Sequence, residues 1–144
     1  MKKLMLTVIL VLSLTACSCS TEVIQPREDT VVVDVLNNAD YDIYVLELSW
    51  YNKEELKGSQ GTMKAEDGLK LKKGELLQFE LTEADLSLEG EVLFELTLID
   101  VKDERKRVTI GEKFPLNLEK GKVYSLEISG EDQSNLEVLQ LMNK

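Results

Sequence analysis

Histidine is absent from this 144-residue chain. That removes Ser-His-Asp and Cys-His catalysis, and with them the commonest zinc and copper ligand. Cysteine occurs twice, at Cys17 and Cys19. Everything after residue 19 therefore has neither an internal disulfide nor a thiolate metal site. No glycine-rich phosphate loop is present. Beyond the first 16 residues no long helical period appears either. Basic side chains are the minority, 17 against 27 acidic ones, for a net charge of −10. Such a chain is repelled by phosphate backbones and by anionic lipid headgroups, which argues against nucleic-acid binding.

What is present begins at the N-terminus. Met1-Lys2-Lys3 is followed by 13 mostly apolar residues, Leu4 to Ala16. A spanning helix needs about 20 residues, so the run is too short for one. A short basic start, an apolar centre and small residues before a cleavage point is the layout of a secretory signal. Cys17 follows directly, in Leu14-Thr15-Ala16-Cys17. This stretch resembles the lipobox of bacterial lipoproteins. The resemblance implies that Cys17 carries a diacylglycerol and becomes the mature N-terminus. Two acyl chains anchor a protein stably where one does not. With residues 1–16 removed, 128 residues remain, carrying 15 basic and 27 acidic side chains and a net charge of −12. That length suits one domain.

Residues 17–29 read as a lipidated N-terminus and tether. The segment is polar apart from Cys19, Val23 and Ile24, and it carries Pro26. Residues 18–29, fully extended, reach about 40 Å. Cys19 is read as part of the tether.

From Thr30 to Lys144 the dominant period is two, the mark of strands. Val31, Val33 and Val35 share one face of a first strand, and Val32 and Leu36 the other, so both faces are expected to be covered. Asn37 to Asp40 is a turn. Tyr44, Leu46, Leu48 and Trp50 alternate with Val45, Glu47 and Ser49 in a second strand. Gly58 to Gly61 reads as a loop, and Leu69 and Leu71 as a short third strand. Leu77, Phe79 and Leu81 follow the Lys73-Gly74 turn. Thr82 can cap a single helical turn, with Asp85 returning the bond. Val92 to Ile99 is the clearest strand. After the charged turn from Val101 to Arg107 come Val108 and Ile110, then Leu116 and Leu118, then Tyr124, Leu126 and Ile128. Leu136 to Leu141 fits a strand better than the competing helix. These add up to about eight strands, and the expected fold is an all-β, antiparallel β-sandwich, with a closed barrel as the rival.

Residues 71–81 echo residues 118–128: both read Leu, any residue, Lys, Gly, then alternate toward an apolar-Glu-apolar end. Two glycine-bearing turns of one kind account for this, since glycine takes positive φ without strain. In the second copy, Leu118-x-x-Gly121-x-x-Tyr124 resembles the tyrosine corner of immunoglobulin-like and fibronectin type III-like domains. The resemblance implies an immunoglobulin-like sandwich in which the Tyr124 hydroxyl bonds back to the preceding turn. Trp50 resembles the core tryptophan of such domains.

No catalytic residue, cofactor or metal is assigned. Glu47, Glu80, Glu95 and Glu127 sit mid-strand and are expected on solvent faces. Asp100, Asp103 and Glu104, and separately Glu131, Asp132 and Asn135, lack the spacing that arranges oxygen ligands around calcium. Tyr41, Ile43, Val45 and Tyr51 have the opposite parity to Leu46, Leu48 and Trp50. They are expected to form an exposed partner-binding face for an envelope protein or a glycan. The functional expectation is a non-catalytic binding or scaffolding protein, held to the membrane outside the cytoplasm by its lipid. Two alternatives are an inhibitor of an exported hydrolase, whose basic surface would suit the acidic charge, and a carboxylate-dependent hydrolase.

Overall fold

A computed structural model describes residues 23–63, 70–101 and 103–141. The expected signal sequence and Cys17 lie outside them. The described residues form eight strands and no helix: β1 (Thr30–Asn37), β2 (Val45–Asn52), β3 (Glu55–Met63), β4 (Leu76–Thr82), β5 (Gly90–Asp100), β6 (Lys106–Leu118), β7 (Val123–Ser129) and β8 (Glu137–Leu141). One sheet has the order β4-β1-β7-β8 and the other β3-β2-β5-β6. The fold is a β-sandwich of four strands on four. All pairs are antiparallel except β1 with β7, which run parallel. β1 and β2 fall in opposite sheets, whereas the immunoglobulin constant-type order keeps its first two strands together.

The core lies between the sheets. Val31, Val33, Val35, Phe79 and Leu126 enter it from the first sheet, and Leu46, Leu48, Phe94, Leu96 and Ile110 from the second. Phe94 and Phe114 stack at 6.3 Å between ring centroids. Burying one such side chain fully contributes about 1.5–3 kcal/mol. Val32 is also fully buried but stands outside this cluster, on the outer face of β1. The sequence expectation that both faces of β1 are covered therefore holds.

The two echoing turns act as a pair. Gly74 and Gly121 both have positive φ, +86° and +75°. The strands they introduce, β4 and β7, flank β1 on either side. The Gly74 amide donates to the Asn37 carbonyl (2.6 Å), and the Gly121 amide to the Thr30 carbonyl (2.8 Å). The two turns thus close opposite ends of the same central strand.

Three expectations need correction. Gly58 to Gly61 is no loop but part of β3, an edge strand. It shows no apolar alternation because Trp50 covers its inner side: a Cβ added at Gly58 would lie 2.6 Å from the indole. Leu71 makes only an isolated bridge to Ile43, and Leu69 lies outside the described residues. Val108 to Leu118 is one strand, not two. It is broken in register by a bulge where Gly111 takes φ +66°.

Residues 23–29 do not stand clear of the domain. The Ile24 amide donates to Gln78 Oε1 (2.7 Å), and Gln78 Nε2 donates back to the Ile24 carbonyl (3.2 Å) and to Asp34 Oδ1 (2.8 Å). Arg27 pairs with Glu80 at 3.2 Å. The segment thereby lies on the outer face of β1 and β4, the face that carries Val32.

Candidate functional site

On the second sheet, inward packing of Leu46, Leu48 and Trp50 turns Glu47, Ser49 and Tyr51 outward. β5 adds Glu95 and Thr97 beside them, and β6 adds Arg107. Arg107 grips both carboxylate oxygens of Glu47, Nη1 to Oε2 at 3.3 Å and Nη2 to Oε1. Such a bidentate, charge-assisted pair is the strong form of the interaction. Glu47 is only 15% exposed, and the pairing holds the Arg107 pKa above its usual value. Ser49 Oγ donates to Glu47 Oε1 at 3.4 Å. Next to them the Tyr51 hydroxyl donates to Glu95 Oε1 at 3.0 Å, and Lys113 Nζ sits 3.8 Å from the Tyr51 ring centroid. Partial burial, followed by the bond to Glu95 and the charges of Glu95 and Glu47, raises the Tyr51 pKa above 10.0.

Tyr51 also borders a cleft of about 580 Å³ between the β2–β3 turn and the loop joining β4 to β5. Trp50, Lys53, Leu86, Glu89 and Val92 are among its lining. Lys53 adopts a left-handed φ of +58°. The loop is held by the capping arrangement read from the sequence: the Thr82 amide and Oγ1 both donate to Asp85 Oδ2 at 2.8 Å, and the Asp85 amide donates to the Thr82 carbonyl at 2.9 Å. Trp50 is 5% exposed, and its Nε1 has no hydrogen-bond partner among the described residues. A buried, unpaired indole N–H costs free energy. A ligand acceptor that reached it would recover that cost. An aromatic pair with lysines and carboxylates nearby suits a polar organic group or a peptide.

The four residues expected to form one binding face are not brought together. Ile43 is fully buried in the core, so it meets no partner. Parity carries across a residue series only while the strand is continuous, and β2 begins at Val45. Val45 is half-buried at the start of that strand. Tyr41 packs against the core, with its hydroxyl donating to Asp100 Oδ2 at 3.2 Å, near the Val45–Ile99 end of the sheet. Tyr51 lies six strand positions beyond Val45, roughly 20 Å away. Of the four, Tyr51 alone joins the outer cluster and the Trp50 cleft.

The mid-strand glutamates are all engaged. Glu47 holds Arg107, Glu80 holds Arg27, Glu95 accepts from Tyr51, and Glu127 accepts from Asn38 Nδ2 at 2.8 Å. The acidic turns bond inward as well. Asp100 accepts from Tyr41 and Gln133, and Asp132 Oδ1 accepts from the Ser134 amide and hydroxyl at 2.9 and 2.5 Å. Those bonds lower the Asp132 pKa. Among the described residues no group of three or more acidic side chains is arranged to hold a metal ion.

The tyrosine corner is present, with one difference: the Tyr124 hydroxyl donates to the Asn117 carbonyl at 2.7 Å, which belongs to the end of β6 and not to the turn. From the sequence, Arg107 reads only as the end of a charged turn. The alternation of β6 restarts at Val108 and gave no sign that its neighbour faces Glu47.

No family model matches this chain, and no curated protein matches it. Among solved structures it is similar to a protein from Eubacterium rectale, with 15% identity, TM-score 0.44, covering 81% of this chain and 93% of that one. It is similar to the lipoprotein TssJ1 of the type VI secretion system of Pseudomonas aeruginosa, with 13% identity, TM-score 0.38, covering 82% and 100%. It is also similar to listeriolysin O, with 10% identity and TM-score 0.41; there 80% of this chain spans only 23% of the longer protein. At these scores the likenesses bear no argument about function.

Proposed function

We propose that this chain is a lipid-anchored, extracytoplasmic binding or scaffolding protein that does not catalyse a reaction. The observation that carries the reading is Leu14-Thr15-Ala16-Cys17 behind a basic, apolar start. The lack of histidine supports the non-catalytic part. The partner, an envelope protein or a glycan, is met at the Tyr51 end of the second sheet. There an aromatic side chain and paired charges border the Trp50 cleft.

The test is Cys17→Ser in the full chain. The variant is expected to lose its acyl mass and leave the membrane fraction. A variant that stays as acylated and as membrane-bound as the wild type refutes the assignment.

A further inference from the structure

We infer that the outer face of the β4-β1-β7-β8 sheet lies against the bilayer that holds the lipid anchor, leaving the Tyr51 face of the other sheet turned outward. This rests on the lipoprotein reading of Cys17. A tether of residues 18–29 would reach about 40 Å and let the domain tumble. The segment from Ile24 onward is instead fixed to the sheet, through two bonds to Gln78 and the Arg27–Glu80 pair. Five residues, and so six steps of chain, separate Cys17 from Val23, a reach of at most about 20 Å. The second sheet lies about 10 Å behind the first, with side chains beyond. A tether that short, rising from the first face, favours that face toward the lipid.

The distribution of exposed apolar side chains agrees. Among the described residues seven large ones are exposed: Val23, Ile24, Leu56, Leu76, Val101, Leu139 and Leu141. Strand parity places Leu76 on this outer face, since Leu77 and Phe79 point inward. Leu139 and Leu141 stand opposite Glu127 and Ser125 on the same face. With Ile24 docked there and Val23 beside it, five of the seven gather on one side. Of the acids of that face, Arg27 offsets Glu80, whereas Gln78 and Asn38 are neutral amides that bond Asp34 and Glu127 without offsetting their charge, and Glu137 is exposed beside them. The charge of the face therefore favours a zwitterionic over an anionic bilayer. The other two belong to the opposite sheet, Leu56 among charged neighbours on β3 and Val101 in the turn after β5.

The experiment uses the full, acylated chain carrying Cys19→Ser, placed in phosphatidylcholine vesicles that contain a nitroxide-headgroup lipid. A fluorophore is attached at Leu139→Cys in one sample and at Thr109→Cys, on the outer face of the second sheet, in another. Quenching severalfold stronger at position 139 is expected. A Gly/Ser spacer of about twelve residues after residue 22 adds about 40 Å of reach and is expected to remove the contrast. Mass spectrometry of each sample separates the two ways of failing. Acylated, vesicle-bound protein with equal quenching at both positions overturns the orientation alone. Protein without acyl mass that does not bind vesicles overturns the anchor reading and the orientation with it.

Discussion

Gly58 lies directly under the indole of Trp50: a Cβ placed on the glycine would sit 2.6 Å from Cζ2 and 2.9 Å from Nε1. Real side chains do not approach so closely, and the indole is a rigid group in the core. The pair explains how a strand as polar as β3 can cover one edge of the second sheet. It contributes its backbone, and Trp50 contributes the apolar surface.

Gly58→Ala is therefore expected to destabilise the domain by about 1–3 kcal/mol, the usual range for overpacking. Gly61→Ala serves as the control, since only the Leu46 carbonyl lies as near as 4.0 Å. Denaturant melts followed by fluorescence suit the question, because Trp50 is the single tryptophan of the chain. A Gly58→Ala midpoint equal to that of Gly61→Ala would show that the indole moves aside without cost.

The Tyr124–Asn117 bond ties β7 to the end of β6 across the change of sheet. Tyr124→Phe keeps the ring and removes the donor. A loss of about 0.5–1.5 kcal/mol in a denaturant melt is expected. An unchanged melt would mean that the bond adds nothing to the corner.

The fold was legible where local chemistry and the global arrangement agree. Val31, Val33 and Val35 alternate because β1 is central, and Phe94, Leu96 and Leu98 because β5 is. Thr82 and Asp85 cap each other by spacing alone, and the two Lys-Gly turns announce the strands that flank β1. Legibility failed where a strand borrows its apolar surface from another, as β3 does from Trp50. It failed again in β6, where Glu112 falls at inward parity yet is exposed beside the Gly111 bulge. Of the site, Tyr51 could be placed by parity. Ile43 could not, because the break before Val45 resets the alternation. Arg107 meeting Glu47, and Gln78 holding Ile24, are long-range pairings with no local signature.

Alkaline pH should act through the tyrosines. Tyr51 and Tyr124 both have pKa values raised above the ordinary 10.0, each chiefly by burial. A raised value means that the fold favours the neutral phenol. The stability this supplies is complete below pH 10.0 and is lost as pH climbs through the folded-state values. Melting midpoints should fall on that side, and fall less in Tyr51→Phe and Tyr124→Phe. Phenolate absorbance of the folded protein should rise later than that of the denatured chain. If the two absorbance curves coincide, burial does not restrain these hydroxyls.

Tyr41 and Tyr51 should separate when each is replaced by Ser. Tyr41 packs against the core and bonds to Asp100, so Tyr41→Ser removes core contacts. Tyr51 stands on the outer face, joined to Glu95 and covered by Lys113. A surface pairing of that kind contributes about 0–1 kcal/mol. Aromatic side chains at interfaces often dominate binding. Tyr41→Ser is thus expected to lower the denaturant midpoint clearly and to leave partner capture by the still-folded fraction unchanged. Tyr51→Ser should do the reverse, with a small shift in the melt and a marked drop in crosslinking to the proposed envelope partner in intact cells. Lys113→Ala, which removes the cation over the ring, should fall between wild type and Tyr51→Ser in crosslinking. Full crosslinking by Tyr51→Ser would move the binding surface away from this end of the second sheet.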